Sequence, residues 1–294
     1  MDPATTFPVT RWKIGEVTVT RVIETEGPMP AGFLYADATP ERIARHAWLR
    51  PHFLAADGML IGSIHAFVIE SQGRRIVVDT CVGNDKPRPI KHWNLRKGRF
   101  LEDLAAAGFA RESIDTVLCT HLHVDHVGWN TMLVDGRWVA TFPRAKYLFG
   151  RREWQHWSQE NDNPERVVMD DSVRPIIEAG LAELVEMDHR LTAEVRLEPT
   201  PGHTPGHVSV RIGSRGAEAV ITGDLMHHPV QCAEPAWANR FDVDPDAAHA
   251  TRRAFLERYA GRPVLVLGTH FATPTAGHIA REGDAWRFDP QPSA

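Results

Sequence analysis

The chain has 294 residues, of which 43% are hydrophobic and 24% charged, so it can bury a sizeable core and is not a disordered chain or a coiled coil. Its length fits one large domain or two modest ones. The formal net charge is −5, from 33 Lys and Arg residues against 38 Asp and Glu residues. Nucleic-acid-binding proteins usually carry a basic excess, so we expect no nucleic-acid partner.

The three cysteines, Cys81, Cys119 and Cys232, are odd in number and far apart in the sequence. They predict no disulfide framework, which favours a reducing compartment. Residues 1–13 contain no apolar run of the signal-peptide type. The uncharged apolar stretch of about 18 residues that a membrane-spanning helix needs is also missing from the sequence. We therefore expect a cytoplasmic protein without a membrane partner.

Hydrophobic periodicity predicts strands and helices that alternate along the chain. In the first half, strands are predicted over 14–24, 64–70, 74–79 and 114–120, and helices over 40–49 and 99–107. Proline breakers make 27–60 and 84–98 otherwise irregular. In the second half, strands are predicted near 145–149, 194–199, 207–212, 218–222 and 263–268, and helices near 150–158, 171–181 and 245–260. This interleaving indicates a layered α/β architecture.

Four potential metal ligands fall within six residues directly after the strand 114–120: His121, His123, Asp125 and His126. Side chains at positions i and i+2 of an extended segment point the same way, so His121 and His123 can converge on one ion. Asp125 and His126 are adjacent, so the chain must turn before both can serve a site. We therefore expect the motif to divide between two neighbouring ions.

Three further candidate ligands follow later apolar strands. His203 lies in the segment Pro-Gly-His-Thr-Pro-Gly-His at 201–207, where Pro-Gly pairs force tight turns. Asp224 and His270 each follow the end of a predicted buried strand. In layered α/β folds, sites are built at the C-terminal ends of strands, so these side chains are expected to meet.

In this order, the candidate ligands resemble those of the metallo-β-lactamase superfamily. The family's His-x-His-x-Asp-His motif matches residues 121–126. Its next histidine matches His203, its bridging aspartate matches Asp224 and its last histidine matches His270. The family's early aspartate, which supports the site without binding metal, matches Asp79.

The resemblance extends over about residues 60 to 280 and implies an αββα four-layer sandwich. It implies a single metallo-β-lactamase-like domain over 1–294, with an N-terminal lead. The segment 27–60 would serve as a lid over the site or as an interface segment. Both interpretations stay open, and the branch discussed below favours homodimers.

The resemblance also implies two divalent metal ions. The seven candidate ligands would form two sites that share one aspartate: His121, His123 and His203 in the first, Asp125, His126 and His270 in the second, and Asp224 in both. Nitrogen and carboxylate ligands without a thiolate favour Zn²⁺, with Fe, Mn or Co as alternatives. A hydroxide shared by the two ions would attack a carbonyl or phosphoryl centre. Asp125 would act as a catalytic residue by holding this hydroxide.

Within the superfamily, the chain most resembles the branch that holds acyl-homoserine lactonases and methyl parathion hydrolase. It shares with them a long N-terminal segment before residues 62–67 and the sequence Thr-Pro-Gly-His-Thr-Pro-Gly-His at 200–207. Many of these lactonases have a tyrosine three residues after the bridging aspartate. Here that position is His227, which is more similar to the organophosphate hydrolases. His227 is therefore a candidate hydrogen-bond donor or acid at the substrate, or a loop histidine without a role.

Two tryptophans, Trp93 and Trp157, are candidate substrate-pocket residues together with His227. Pockets for apolar esters are lined by aromatic rings, and Trp157 resembles an aromatic pocket residue of methyl parathion hydrolase. Ordinary core packing stays open as an alternative for both tryptophans.

We therefore predict a metal-dependent hydrolase that acts on a small-molecule lactone or carboxylic ester. An organophosphate triesterase of the methyl-parathion-hydrolase type is the first alternative. A mononuclear iron persulfide dioxygenase and a glyoxalase-II-like thioesterase are further alternatives. A non-catalytic, metal-stabilised binding module is disfavoured by the complete set of seven ligands.

Overall fold

The computed structural model describes residues 5–159 and 166–291, which form two large β-sheets and a small hairpin. The strands of the first half are β1 (Thr10–Ile14), β2 (Val17–Met29), β3 (Leu60–Ser71), β4 (Arg74–Val78), β5 (Thr116–Leu118), β6 (Thr131–Val134), β7 (Arg137–Ala140), β8 (Lys146–Gly150) and β9 (Ala182–Val185). Those of the second half are β10 (Val195–Pro199), β11 (Val208–Ser214), β12 (Ala217–Ile221), β13 (Val264–Leu267), β14 (Ala276–Glu282) and β15 (Ala285–Pro290).

The helices lie between these strands. They are α1 (Ala31–Leu34), α2 (Pro40–Ala44), α3 (Phe100–Ala106), α4 (Arg151–Trp157), α5 (Arg166–Val168), α6 (Arg174–Glu178), α7 (Val230–Ala233) and α8 (Pro245–Tyr259). A π-helical segment, Met169–Val173, joins α5 to α6. Within the described ranges, every helix is too short or too polar to span a lipid bilayer.

The order of the strands places the ends of several parallel strands side by side. The first sheet has the order β1-β2-β3-β4-β5-β8-β9, and β4, β5, β8 and β9 run parallel. The second sheet has the order β10-β11-β12-β13-β14-β15, and β12 and β13 run parallel. Parallel strands end at the same edge of a sheet, so the loops after β12 and β13 lie side by side.

The alternation of side chains along the central strands explains why helices cover the outer face of each sheet while the inner faces pack together. In β4, Val77 packs against the helices on the outer face, whereas Ile76 and Val78 pack between the two sheets. In β12, Val220 packs against α7 and α8, whereas Ile221 lies between the sheets. Both sheets are therefore buried on both faces, since side chains alternate along a strand. This arrangement confirms the predicted αββα four-layer sandwich.

The predicted elements agree with the structure except at particular places. The single strand expected over 14–24 is wrong at its start, because Gly15, with φ of 57°, turns the chain between β1 and β2. The helix expected over 40–49 is divided into α2 and a short 3₁₀ turn, Ala47–Leu49. The sequence analysis did not predict six strands: β1, β6, β7, β9, β14 and β15.

The segment 27–60 is more ordered than its prolines predicted. It contains the end of β2, the helices α1 and α2 and the 3₁₀ turn. Three of its side chains, Tyr35, Leu49 and Phe53, are fully buried in the core next to the second sheet. Tyr35 also donates a 2.9 Å hydrogen bond to the Gln231 side chain. The segment is thus packed onto the body of the protein.

Candidate metal centre

The candidate ligands come from four loops, which follow β5, β10, β12 and β13. The buried apolar strands fix where each loop starts, and the loops project from the strand ends into one space. All seven residues named from the sequence converge there, within four overlapping groups of possible ligands. Within each group, the nitrogen and oxygen atoms lie within 4.8 Å of one another.

The first group consists of three histidines from two loops. His121 Nε2 lies 3.1 Å from His123 Nδ1, as the i and i+2 spacing predicted. His203 Nε2, which arrives from the loop after β10, lies 2.9 Å from the same His123 nitrogen. The three rings are therefore directed at one point, although 80 residues separate His123 from His203.

The second group consists of Asp125, His126 and His270. His126 Nε2 and His270 Nε2 lie 3.3 Å apart. The two carboxylate oxygens of Asp125 lie 3.5 Å from His126 Nε2 and 3.6 Å from His270 Nε2. The turn that the sequence required between His123 and Asp125 thus directs the motif toward two separate points.

Asp224 lies between the two groups and is almost completely buried. Its Oδ2 atom is 3.5 Å from His203 Nε2 and 3.3 Å from His126 Nε2. Its Oδ1 atom is 3.2 Å from His270 Nε2. One carboxylate thus faces ligand candidates of both groups, which is the position expected of a bridging ligand.

The histidines of the first group are held in the form that binds a metal. Burial lowers the pKa of His121, His123 and His203 well below its usual value, because a charged ring would lose its hydration. Their rings are therefore neutral at neutral pH. A neutral imidazole has a free lone pair on one nitrogen, which is what a metal ion requires.

The second group carries excess negative charge. Burial disfavours a charge on His126 and His270, but the nearby carboxylate of Asp224 outweighs it. The result is a pKa raised well above the usual value for His126 and to about 9 for His270. A divalent cation would compensate the same carboxylates in place of these protons.

These side chains fit a divalent metal ion. His123 Nδ1 faces two imidazole nitrogens, at 3.1 and 2.9 Å, and can form a hydrogen bond to only one of them, so one nitrogen lone pair at this point stays unpaired without a cation. Cys119 supplies no thiolate here, because its buried Sγ contacts Asn130 instead. The donors are thus nitrogen and oxygen only, a set that suits zinc and also iron, manganese or cobalt.

The outer nitrogens of the rings have partners of their own. His203 Nδ1 donates a 2.9 Å hydrogen bond to Asp242, and His270 Nδ1 donates one of the same length to the Ser63 carbonyl. His126 Nδ1 lies 3.0 Å from Asp79 Oδ2, the aspartate that the resemblance assigned to support. Such outer contacts fix the tautomer and direct Nε2 toward the centre.

Asp242 is a residue that the sequence analysis missed. Its other carboxylate oxygen accepts a 2.8 Å hydrogen bond from the backbone of Asn239, and Arg252 lies 3.7 Å away. It lies in a loop that follows no apolar strand, so the strand-end criterion gave no signal for it. Only the contact with His203 shows its relevance.

His207, the second histidine of the 201–207 segment, is not part of the cluster. Its Nε2 accepts a 2.7 Å hydrogen bond from the backbone N–H of Asp224, and its Nδ1 donates to the Thr200 carbonyl. Gly223 explains the close approach, because a β-carbon there would lie 2.5 Å from the ring. His207 therefore positions the backbone of Asp224.

His227 and His228 have different surroundings. His227 Nε2 lies 3.0 Å from Asp224 Oδ2, and the residue lines the cavity beside the cluster. It also forms a ligand-like group with His203 and Asp224. His228 instead points into the core, where its Nε2 donates to the Phe53 carbonyl.

A cavity of about 610 Å³ opens above the cluster. The candidate ligands His123, Asp125, His203, Asp224 and His270 contribute to its lining. Its other walls are mainly apolar, and they include Met29, Phe33, Leu34, Ile64, Ile90, Trp93, Val124, Val167, Val168 and Phe241. Trp93 thus lines the cavity. Trp157 instead lies behind His123, with the two ring centres 5.2 Å apart, and does not line it.

Comparisons with known proteins agree with this geometry. The sequence profile of the Metallo-beta-lactamase superfamily matches residues 60–270. An N-acyl homoserine lactonase from Bacillus cereus is 22% identical over 173 residues, which cover 54% of this chain and 61% of that relative. The chain therefore spans less than two thirds of this curated relative.

Two solved structures share the fold over nearly the whole chain. AidC, described as a dizinc quorum-quenching lactonase in complex with a product, superposes with a TM-score of 0.79 at 19% identity, covering 97% of this chain and 98% of AidC. The hydrolase AbOPH, described as belonging to the beta lactamase superfamily, superposes with a TM-score of 0.79 at 23% identity, covering 98% of both chains. At these identities the likeness shows the fold alone.

We predict that divalent metal stabilises the folded protein. Addition of Zn²⁺ to chelator-treated protein should raise the melting temperature. An ion that binds only the folded state, at a free concentration of 1,000 times its Kd, adds about 4 kcal/mol to the free energy of unfolding. His203→Ala should reduce this shift strongly. His249→Ala, which changes a histidine outside the cluster, is the matched control. Equal shifts in both variants, measured by calorimetry, would contradict a metal site at His203.

Proposed function

Since the chain belongs to the metallo-beta-lactamase superfamily, we propose that it is a metal-dependent hydrolase that uses two metal ions to hydrolyse a neutral, apolar lactone or carboxylic ester. The observation that carries the proposal is the position of Asp224 between two groups of ligands, at the base of an apolar cavity. The lactonases among its relatives and structural neighbours support the same reaction class.

The proposed centre divides the ligands as the resemblance implied. His121, His123 and His203 would hold one ion, Asp125, His126 and His270 the other, and Asp224 both. Two divalent ions bound there would supply hydroxide at neutral pH and polarise the carbonyl oxygen of the substrate. Zn²⁺ is the preferred identity because the ligands contain nitrogen and oxygen and no thiolate.

The protein's own residues would orient the reacting groups. Asp125 faces the cavity with both oxygens near the second group, so it can ligate and also accept a hydrogen bond from the nucleophile. His227 lines the same cavity, and its Nε2 atom must carry a proton to face the carboxylate oxygen of Asp224 at 3.0 Å. We assign His227 as a donor to the substrate oxygen that gains negative charge.

The charge of the cavity favours a neutral substrate. Arg88 is the only Lys or Arg side chain among the described residues that line the cavity. Its guanidinium donates hydrogen bonds of 2.7 and 2.8 Å to the carboxylate of Asp171, so two of its N–H groups are already paired within the protein. A substrate with free carboxylates away from the metal centre would lose hydration without meeting an unpaired cationic side chain in the walls. The glyoxalase-II-like and persulfide alternatives are therefore less well supported.

An organophosphate triester is the second candidate substrate, and His227 is the observation that favours it. The resemblance places a tyrosine at this position in many lactonases, whereas this chain has a histidine. A dialkyl aryl phosphate is also neutral and apolar, so the same cavity would accept it. The two candidates differ at the reacting centre, which is a planar carbonyl in one and a tetrahedral phosphorus in the other.

A hydrolysis panel tests the proposed function. Metal-loaded protein should hydrolyse acyl-homoserine lactones, simple lactones or aryl esters with kcat/KM above about 10⁴ M⁻¹s⁻¹ for one class, and a dialkyl aryl phosphate more slowly. A chelator and the variant Asp224→Ala should each abolish turnover. Full activity of metal-depleted Asp224→Ala would refute the mechanism. Uniformly slow turnover that the chelator abolishes would refute the substrate class alone.

His227 has a separate test. His227→Phe should lower kcat about 100-fold with an unchanged metal content, since it removes a donor to the developing charge. His227→Gln keeps a donor and should lose less. Metal content, measured by elemental analysis, distinguishes this role from ligation. A metal content that falls together with kcat in both variants would make His227 a ligand, as its group with His203 and Asp224 permits.

The segment 27–60 contributes to the proposed substrate pocket. Phe33, in α1, lines the cavity, and its ring centre lies 5.5 Å from that of Phe241 and 6.5 Å from that of Trp93. These three rings come from three different segments and form one aromatic wall. We therefore propose that 27–60 acts as a cover of the site, and that its aromatic wall binds the apolar part of the substrate.

Phe33→Ala tests this wall. This substitution should raise KM about 10-fold for substrates with long acyl or aryl groups and leave kcat within a factor of two. The reason is that an apolar contact of about 1.5 kcal/mol is lost equally from the bound substrate and from the transition state. Leu95→Ala, at an exposed residue outside the cavity, is the control. A KM that rises equally for short and long substrates would contradict the proposed contact.

A further inference from the structure

Glu153 is a completely buried carboxylate that the proposed reaction does not use. It lies in α4, and none of its side chain is accessible to solvent. No Lys or Arg side chain forms an ion pair with it in the described part of the chain. A buried carboxylate without a cation must obtain its stabilisation from hydrogen-bond donors.

The donors to Glu153 come from two separate loops and from α4 itself. The backbone N–H of Gly206 donates to Oε1 at 2.7 Å. The backbone N–H of Leu122 donates to Oε2 at 3.2 Å, and the indole N–H of Trp157 donates to the same oxygen at 2.9 Å. Each carboxylate oxygen therefore serves a different loop.

Both loops carry candidate ligands of the first metal site. Leu122 lies between His121 and His123, and Gly206 lies three residues after His203. The first site needs all three histidines at one point, yet they come from loops after strands of different sheets. Glu153 is a direct hydrogen-bonded connection between these loops.

Two neighbouring contacts strengthen this connection. A β-carbon at Gly206 would lie 2.7 Å from the backbone nitrogen of Glu153, so only glycine lets the loop approach α4 this closely. The Trp157 ring, whose N–H Glu153 accepts, packs edge-on against the ring of His123. Glu153 therefore restrains the backbone beside His123 directly and its ring through Trp157.

We propose that Glu153 is a positioning residue that sets the geometry of the first metal site by joining its two loops. The inference rests on the proposed metal centre and deepens it. Glu153 touches neither the cavity nor the candidate ligand atoms, so its action is through the backbone. A carboxylate is needed because it offers an acceptor to each loop, whereas a glutamine amide offers one acceptor oxygen and directs its NH₂ group at the other loop's N–H.

The chain contains a matched control at Glu24. Its carboxylate is also buried, and it accepts hydrogen bonds from the backbone N–H groups of Val82 and Gly83 and from the indole of Trp129. Each glutamate thus accepts from two backbone N–H groups and one indole, while the Thr204 hydroxyl also lies beside Glu153 and the Arg96 guanidinium lies near Glu24. Residues 82–83 carry no candidate ligand, however. Trp129 lies three residues after His126, but it contributes its indole and not its backbone. The two glutamates thus have similar donors, and only Glu153 accepts from the backbone of the two loops that carry the first site.

The experiment compares Glu153→Gln with Glu24→Gln. Zn²⁺ is titrated into metal-free protein against a chromophoric chelator, and the absorption spectrum of the Co²⁺-loaded protein is recorded. Both variants should lower the melting temperature of the metal-free protein, since each leaves a buried N–H unsatisfied. Only Glu153→Gln should weaken the binding of one of the two Zn²⁺ ions, by about 10- to 100-fold, and change the absorption spectrum of the Co²⁺-loaded protein.

Three results would overturn the inference. Wild-type affinity and spectrum in Glu153→Gln would show that the loops do not need Glu153. An equal loss in Glu24→Gln would show a general effect of stability. A wild-type protein that binds no divalent ion would refute the metal centre itself, which the other two results do not. If Glu153→Gln does not fold, hydrogen exchange in the metal-free wild type decides: slow exchange at the Leu122 and Gly206 amides supports the connection, and fast exchange at either contradicts it.

Discussion

The rest of the site depends on one constraint, the burial of the Asp224 carboxylate among imidazole rings. Burial raises the pKa of this carboxyl, but the surrounding rings of His126, His270 and His227 outweigh it and hold the pKa well below its usual value. A buried anion is stable only where positive charge compensates it. The loops after β5, β10, β12 and β13 therefore meet around Asp224, and a divalent cation is the compensation that this arrangement accommodates.

A second group of contacts keeps the ligands in place. The candidate ligands lie on loops, and loops alone hold side chains less accurately than helices or strands. His207 holds the backbone of Asp224, Asp242 holds the ring of His203, and Glu153 holds two loops at once. Each contact uses a buried polar group whose pairing is costly to lose. The result is a centre whose geometry does not depend on the metal alone.

The cavity complements the polar centre with apolar walls. Phe33, Trp93 and Phe241 come from three separate segments, and the Arg88 guanidinium is paired with Asp171. The apolar walls favour a substrate with a hydrophobic group, while the centre acts on its one polar bond. The walls of the cavity thus bind the apolar part of the substrate, and the polar centre at its base carries out the reaction.

The sequence by itself determined a layered α/β fold and the seven candidate ligands, because apolar strands are visible locally and His and Asp at strand ends are distinctive. The αββα sandwich followed from the family resemblance that the order of these ligands carries. Only the tertiary structure decided the supporting residues and the cavity walls. Asp242 and Glu153 act through contacts with loops 31 to 53 residues away, and no local pattern marks them. Trp157 illustrates the same limit: the family resemblance suggested a pocket residue and left core packing open, and the fold places the ring behind His123. A ligand can be recognised by its chemistry and spacing, whereas a packing partner is fixed only when distant segments meet.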